Sequence, residues 1–86
     1  MSPSSETAVV LPAALHARPA GAVVRAASGF TATVEIRHGE KSASARSALR
    51  LMALGADAGA TVTVHAEGDD AAAAVSAVAE ALATAT

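Results

Sequence analysis

Cysteine is absent from the 86-residue chain, which excludes disulfides, thiolate metal sites and a thiol nucleophile, and nothing asks for an oxidising compartment. Tryptophan and tyrosine are absent as well, and Phe30 is the only aromatic residue. Six basic residues against eight acidic ones leave a formal charge of −2. A nucleic-acid module needs a basic surface and often aromatic platforms, so nucleic acid is not an expected partner. Hydrophobic residues make up 52% of the chain, but alanine supplies much of that. No apolar run approaches the ~20 residues of a membrane span, so no membrane insertion is expected and the chain should be soluble. Met1 to Glu6 has no basic cluster followed by an apolar stretch, does not read as a secretory signal, and leaves the cytoplasm as the expected location. There is no Gly-x-x-x-x-Gly-Lys-Ser/Thr loop, so ATP should not bind, and no cofactor is expected.

What remains is short and strongly patterned. The length fits one domain over residues 1–86, with 1–5 and 84–86 expected to be flexible. Thr7 to Leu11 is a β-prone run closed by Pro12. From Ala17 to Ala27, the residues Ala20, Val23, Val24 and Ala27 recur at helical spacing, with Pro19 acceptable in the first turn. Ser28-Gly29 ends that helix, and Gly29 is expected in the left-handed conformation. Thr31 to Arg37 alternates, with Ala32, Val34 and Ile36 on one face. The turn His38-Gly39-Glu40 then leads into Lys41 to Ala45, an edge strand. Ser47 to Leu54 reads as a short helix capped by Ser47, with Leu51 and Leu54 inward. Thr61 to Ala66 is a β-branched strand, and from about Asp70 to Ala83 a last helix carries Val75, Val78, Ala79 and Leu82 on one face. The order is β-α-β-β-α-β-α, an α+β chain whose sheet is covered on one side by helices.

His16-Ala17-Arg18-Pro19 falls where a loop feeds a helix, so backbone N–H groups and the helix dipole point at the histidine side chain. A neutral imidazole nitrogen can attack phosphorus, and an arginine two residues on offers a fork of donors to phosphate oxygens. Taken alone, so short a motif reads more readily as a loop histidine and a solvated arginine. His38 and His65 have no carboxylate or cysteine at metal-ligand spacing, so they read as structural or surface residues and no metal site is expected.

The segment Pro12-Ala13-Ala14-Leu15-His16-Ala17-Arg18-Pro19-Ala20 resembles the active-site segment of the HPr family, the phosphocarriers of the bacterial sugar phosphotransferase system. The similarity continues through Ala26 to Thr31, Gly39 to Ser47, Leu54-Gly55 and Ala66-Glu67-Gly68 at matching spacing, over nearly the whole chain. The resemblance implies an open-faced β-sandwich, a four-stranded and mainly antiparallel sheet with three helices on one face. It also implies a monomeric phosphoryl carrier rather than an enzyme. His16 would be the histidine modified at Nδ1 and Arg18 the arginine that turns toward the phosphate. The donor would be enzyme I, charged from phosphoenolpyruvate, and the acceptors EIIA domains of sugar permeases. A specialised carrier for a nitrogen-linked or dihydroxyacetone-kinase branch would use the same chemistry with other partners.

Ser47 matches the serine that, in some branches, an ATP-dependent HPr kinase modifies to act on regulators; an ordinary helix cap needs only its hydroxyl. Leu49 and Met52 would join the region of Ala20 and Val24 as an apolar docking patch, with Arg25, Arg46 and Arg50 around it to steer an acidic partner. The family often has Asn-Gly where this chain has Ala13-Ala14. If that glycine needs a positive φ, alanine adds strain on the order of 1 kcal/mol.

Overall fold

A computed structural model describes residues 3–85. The elements are β1 (Ser4–Val10), α1 (Ala17–Ser28), β2 (Thr33–His38), β3 (Lys41–Ser44), α2 (Ala48–Ala53), β4 (Thr61–Glu67) and α3 (Ala71–Ala83), in the expected order. The four strands form one sheet in the order β1-β4-β2-β3, and every pairing is antiparallel. β4, the most β-branched run, lies inside the sheet between β1 and β2. Alternation then sorts the two faces: Val62, Val64 and Ala66 on β4 and Val34 and Ile36 on β2 are buried, while Thr61, Thr63, His65 and Glu67 lie on the other side.

The helices cover that buried face. α3 packs on β1, β4 and α1, and α1 packs on α2. Leu82, Val78, Val23 and Leu51 fill the core, and Ala20, Ala27, Ala66 and Ala74 are without exposed surface. Side chains this small let helix and sheet backbones approach closely, so a large alanine share still builds a packed interior.

β1 begins at Ser4 rather than Thr7: Ser4 and Ser5, expected in a flexible leader, pair with Glu67 and Ala66. The same pairing is prolonged by Pro3, whose carbonyl accepts from the Gly68 N–H at 2.9 Å. At the other end, Thr84 donates to the Glu80 carbonyl from both N–H and Oγ1, at 3.0 and 2.9 Å. Met1, Ser2 and Thr86 lie outside the described residues. β2 starts at Thr33, two residues late, because the N–H groups of Thr31 and Ala32 donate to the Asp70 carboxylate at 2.9 and 2.8 Å. Asp70 therefore ties the start of α3 to the start of β2 instead of capping its own helix. Gly29 is not left-handed: with φ −78° and ψ −1° it continues the right-handed turn, and the next N–H, that of Phe30, donates to the Ala27 carbonyl at 3.2 Å. The β2–β3 turn is Gly39-Glu40 alone, with His38 opposite Lys41. Gly39 takes φ +61° while Glu40 does not turn positive, the type II′ arrangement that wants glycine first.

Candidate functional site

His16 is exposed and stands as the N-cap of α1 in extended conformation, φ −81° and ψ −172°. Its N–H donates back to the Ala14 carbonyl at 2.8 Å, and its carbonyl accepts the first helical bond, from Ala20 N–H at 3.0 Å. The first N–H groups of a helix have no carbonyl a turn behind them. Pro19 brings none, so Ala17 and Arg18 supply the backbone donors at the end of α1 that His16 caps. The imidazole makes no capping bond of its own, and Arg18 is exposed. An anion held on His16 would thus meet two backbone donors, a helix dipole and a guanidinium.

The chain is anchored on both sides of this corner. Leu11 and Leu15 are buried, and their N–H groups donate to the carbonyls of Ala60 and Ala56 at 2.9 and 3.0 Å. Among the described residues no non-glycine φ is positive, so Ala13-Ala14 carries no left-handed strain.

Of the proposed docking residues, Leu49 is 77% exposed and Met52 38%, while their neighbours Leu51 and Leu54 are buried. Val24 is half-buried and Arg25 exposed; a Cβ at Gly21 would lie 3.4 Å from Arg25 Nη1, so this guanidinium folds back along α1 toward the Arg18 end. Ala20 is a correction. It is 0% exposed, because it shares the inward face with Val23 and Ala27, and it offers no side-chain surface for docking. Arg46 is committed elsewhere as well: its guanidinium donates to the Phe30 and Ala27 carbonyls, at the C-terminal end of α1. Ser47 is the N-cap of α2, its Oγ accepting from Arg50 N–H at 3.3 Å. Arg50 itself joins Lys41, Ser42, Ala53 and Leu54 around an open cleft of about 230 Å³, a cationic pairing across α2 and β3 that residue spacing does not reveal.

The other two histidines have partners of their own. His38 Nδ1 lies 3.2 Å from the Leu54 carbonyl. His65 has carboxylates at both ring nitrogens, Glu6 at 3.0 Å and Glu67 at 3.2 Å, which spacing along the chain had hidden because Glu6 arrives from β1. Among the described residues no group of three histidine, aspartate or glutamate side chains is placed to hold a metal ion.

Residues 3–84 match the family model described as "PTS HPr component phosphorylation site". Over 56 residues the chain is 46% identical to the PEP-dependent dihydroxyacetone kinase phosphoryl donor subunit DhaM of Providencia stuartii, covering 65% of this chain and 12% of that one. It is 40% identical over 62 residues to a multiphosphoryl transfer protein of Xanthomonas campestris, covering 72% of this chain and 7% of that one. The chain thus spans a small fraction of these two relatives. The crystal structure of the phosphocarrier protein HPr from Bacillus anthracis superposes with a TM-score of 0.83 at 32% identity, over 92% of this chain and 96% of that one.

Proposed function

Because the chain belongs to the HPr family of phosphocarriers of the phosphotransferase system, we propose that His16 is the residue that carries the phosphoryl group. The observation that carries this reading is an exposed imidazole at the N-cap of α1, free of any capping bond and followed in the first turn by the exposed Arg18. The Nδ1 lone pair attacks phosphorus while Nε2 keeps its proton; the new N–P bond forms as the donor's bond to phosphorus breaks. The protein's contribution is position and charge, since the phosphoryl group spreads its negative charge over three oxygens.

The donor is enzyme I charged from phosphoenolpyruvate and the acceptors are EIIA domains, all in the cytoplasm. Val24, Arg25, Leu49, Arg50 and Met52 form the docking surface, and Ser47 is the site at which an HPr kinase would regulate it. The 46% identity to a phosphoryl donor subunit of a dihydroxyacetone kinase favours a second acceptor line, in which the same phosphohistidine feeds a soluble kinase. No helix among the described residues is long and apolar enough to cross a membrane.

Incubation with phosphoenolpyruvate and enzyme I, followed by intact mass and site mapping, tests the reading. One acid-labile phosphoryl group on His16 is expected in the native chain, and none in His16→Ala, which should melt like the parent because the side chain is exposed. Full acceptance by His16→Ala overturns it.

A further inference from the structure

We propose that Gly59 is a positioning residue for His16, acting through a backbone clamp between the 55–60 loop and the loop that delivers the histidine. The inference rests on the reading of His16 as phosphoryl acceptor and adds a residue to it. Beyond the last pair of the β1–β4 ladder, Val10 opposite Thr61, the two chains stay joined. Leu11 N–H donates to the Ala60 carbonyl at 2.9 Å, and Gly59 N–H donates to the Leu11 carbonyl at 2.8 Å. Four residues later the His16 loop returns to the same place, Leu15 N–H donating to the Ala56 carbonyl at 3.0 Å. Leu11, Leu15 and Ala56 are buried, so these three bonds stand on packed side chains.

His16 follows Leu15 directly, and its own N–H is turned back onto Ala14. The corner that aims the imidazole is therefore registered against the 55–60 loop at both of its ends. Gly59 holds one end at φ +87°, a conformation that L side chains rarely adopt. A Cβ there would meet nothing within 4 Å, so the requirement for glycine comes from the backbone alone. Alanine at 59 relaxes toward negative φ and swings the N–H off the Leu11 carbonyl. Gly39 supplies a matched control: it too has a positive φ, +61°, and open space for a Cβ, but it turns the β2–β3 hairpin and makes no bond to the His16 loop.

The test compares the native chain with Gly59→Ala, Gly59→Asn and Gly39→Ala. Each is followed by thermal melting, by amide exchange at Leu11 and Leu15, and by the saturating rate and KM for phosphorylation by enzyme I. Both alanine variants should melt earlier. Only Gly59→Ala should exchange faster at Leu15 and lose about tenfold in saturating rate with little change in KM, as expected when a reacting group is misplaced by a fraction of an ångström. Gly59→Asn should recover most of the rate, because asparagine visits positive φ more readily than alanine. A saturating rate for Gly59→Ala equal to that of Gly39→Ala overturns the inference. Should Gly59→Ala not fold, a glycine inserted between Asp57 and Ala58 loosens the clamp without strain, and a native rate in that variant overturns it equally. A native chain that takes no phosphoryl group refutes the reading of His16 instead, which keeps the two failures apart.

Discussion

An imidazole at a helix start acts as a nucleophile only when nothing else claims its nitrogens, and among the described residues His16 meets that condition while His65 and His38 do not. His65 lies between Glu6 and Glu67, and His38 faces a backbone carbonyl; both are engaged in holding strands and helix ends together. The distinction is one of surroundings rather than residue type, which is why the motif His16-Ala17-Arg18-Pro19 is legible and the other two histidines read only as background. Arg18 has a different status from His16. In the proposed site it would make no bond to phosphorus, and its guanidinium would be worth what a charge-assisted hydrogen bond to phosphate is worth, about 1.5 to 3 kcal/mol. Arg18→Ala should therefore still be phosphorylated on His16 but roughly 10 to 100 times more slowly. Stopped-flow or quench measurements of transfer in both directions check this, and unchanged rates would remove Arg18 from the site. Two residues expected at the docking surface lie elsewhere. Ala20 belongs to the inward stripe of α1 that the same spacing defines, and a stripe cannot also be a docking surface. Arg46 has the composition of a rim arginine but reaches carbonyls of Phe30 and Ala27, far back in the chain.

Elements were legible where periodicity and burial agree. β2, with Val34 and Ile36 inward, and α3, with Val75, Val78 and Leu82 inward, follow from pattern alone. Where the sequence underdetermined an element, a partner distant in the chain supplied the missing term. Ser4 and Ser5 have little β preference of their own and become strand because Ala66 and Glu67 offer a ladder edge. Thr31 and Ala32 alternate like strand residues but give their N–H groups to Asp70, 38 or more positions away. That bond makes a pH prediction. The Thr31 N–H first, and the Ala32 N–H after it, hold the Asp70 carboxyl below its ordinary value of 3.8. A carboxyl depressed by folding adds stability that is complete above its unfolded pKa and is lost as pH falls through the folded one. Asp70→Asn places an amide NH₂ against one of these donors, so it should melt earlier than the native chain at neutral pH. The gap should narrow as pH drops below 3.8 and vanish once the native carboxyl is protonated. Melting curves at a series of pH values check it; a gap that stays constant into acid would mean that the carboxylate charge adds nothing to the α3–β2 tie.

A net charge of −2 describes the molecule poorly, because its charges are sorted by face. The uncovered side of the sheet carries Glu6, Glu35 and Glu67, with Arg37 bound to Glu35 at 2.6 Å and to Glu6 at 3.6 Å. α1 and α2 carry no acidic residue at all, only Arg18, Arg25 and Arg50, and Lys41 stands beside Arg50 across the cleft. The net charge therefore concealed a cationic end around the proposed docking residues. Exposed charges act over about 10 Å at 0.1 M salt, far enough to turn an approaching acidic partner toward that end. Charge on an interface rim changes encounter more than the bound complex, and in the proposed complex the bond-making step would be shielded once Leu49 and Met52 were covered. Raising ionic strength should accordingly raise the KM for phosphorylation by enzyme I while the saturating rate stays level. Arg25→Ala should raise KM at low salt and flatten its dependence on salt, with both curves meeting near 1 M, where screening falls to about 3 Å. Enzyme I kinetics across a salt series for the native chain and Arg25→Ala measure this directly. A KM indifferent to salt would place recognition in the apolar patch alone, and a saturating rate that falls with salt would move the arginines from steering into the transfer step itself.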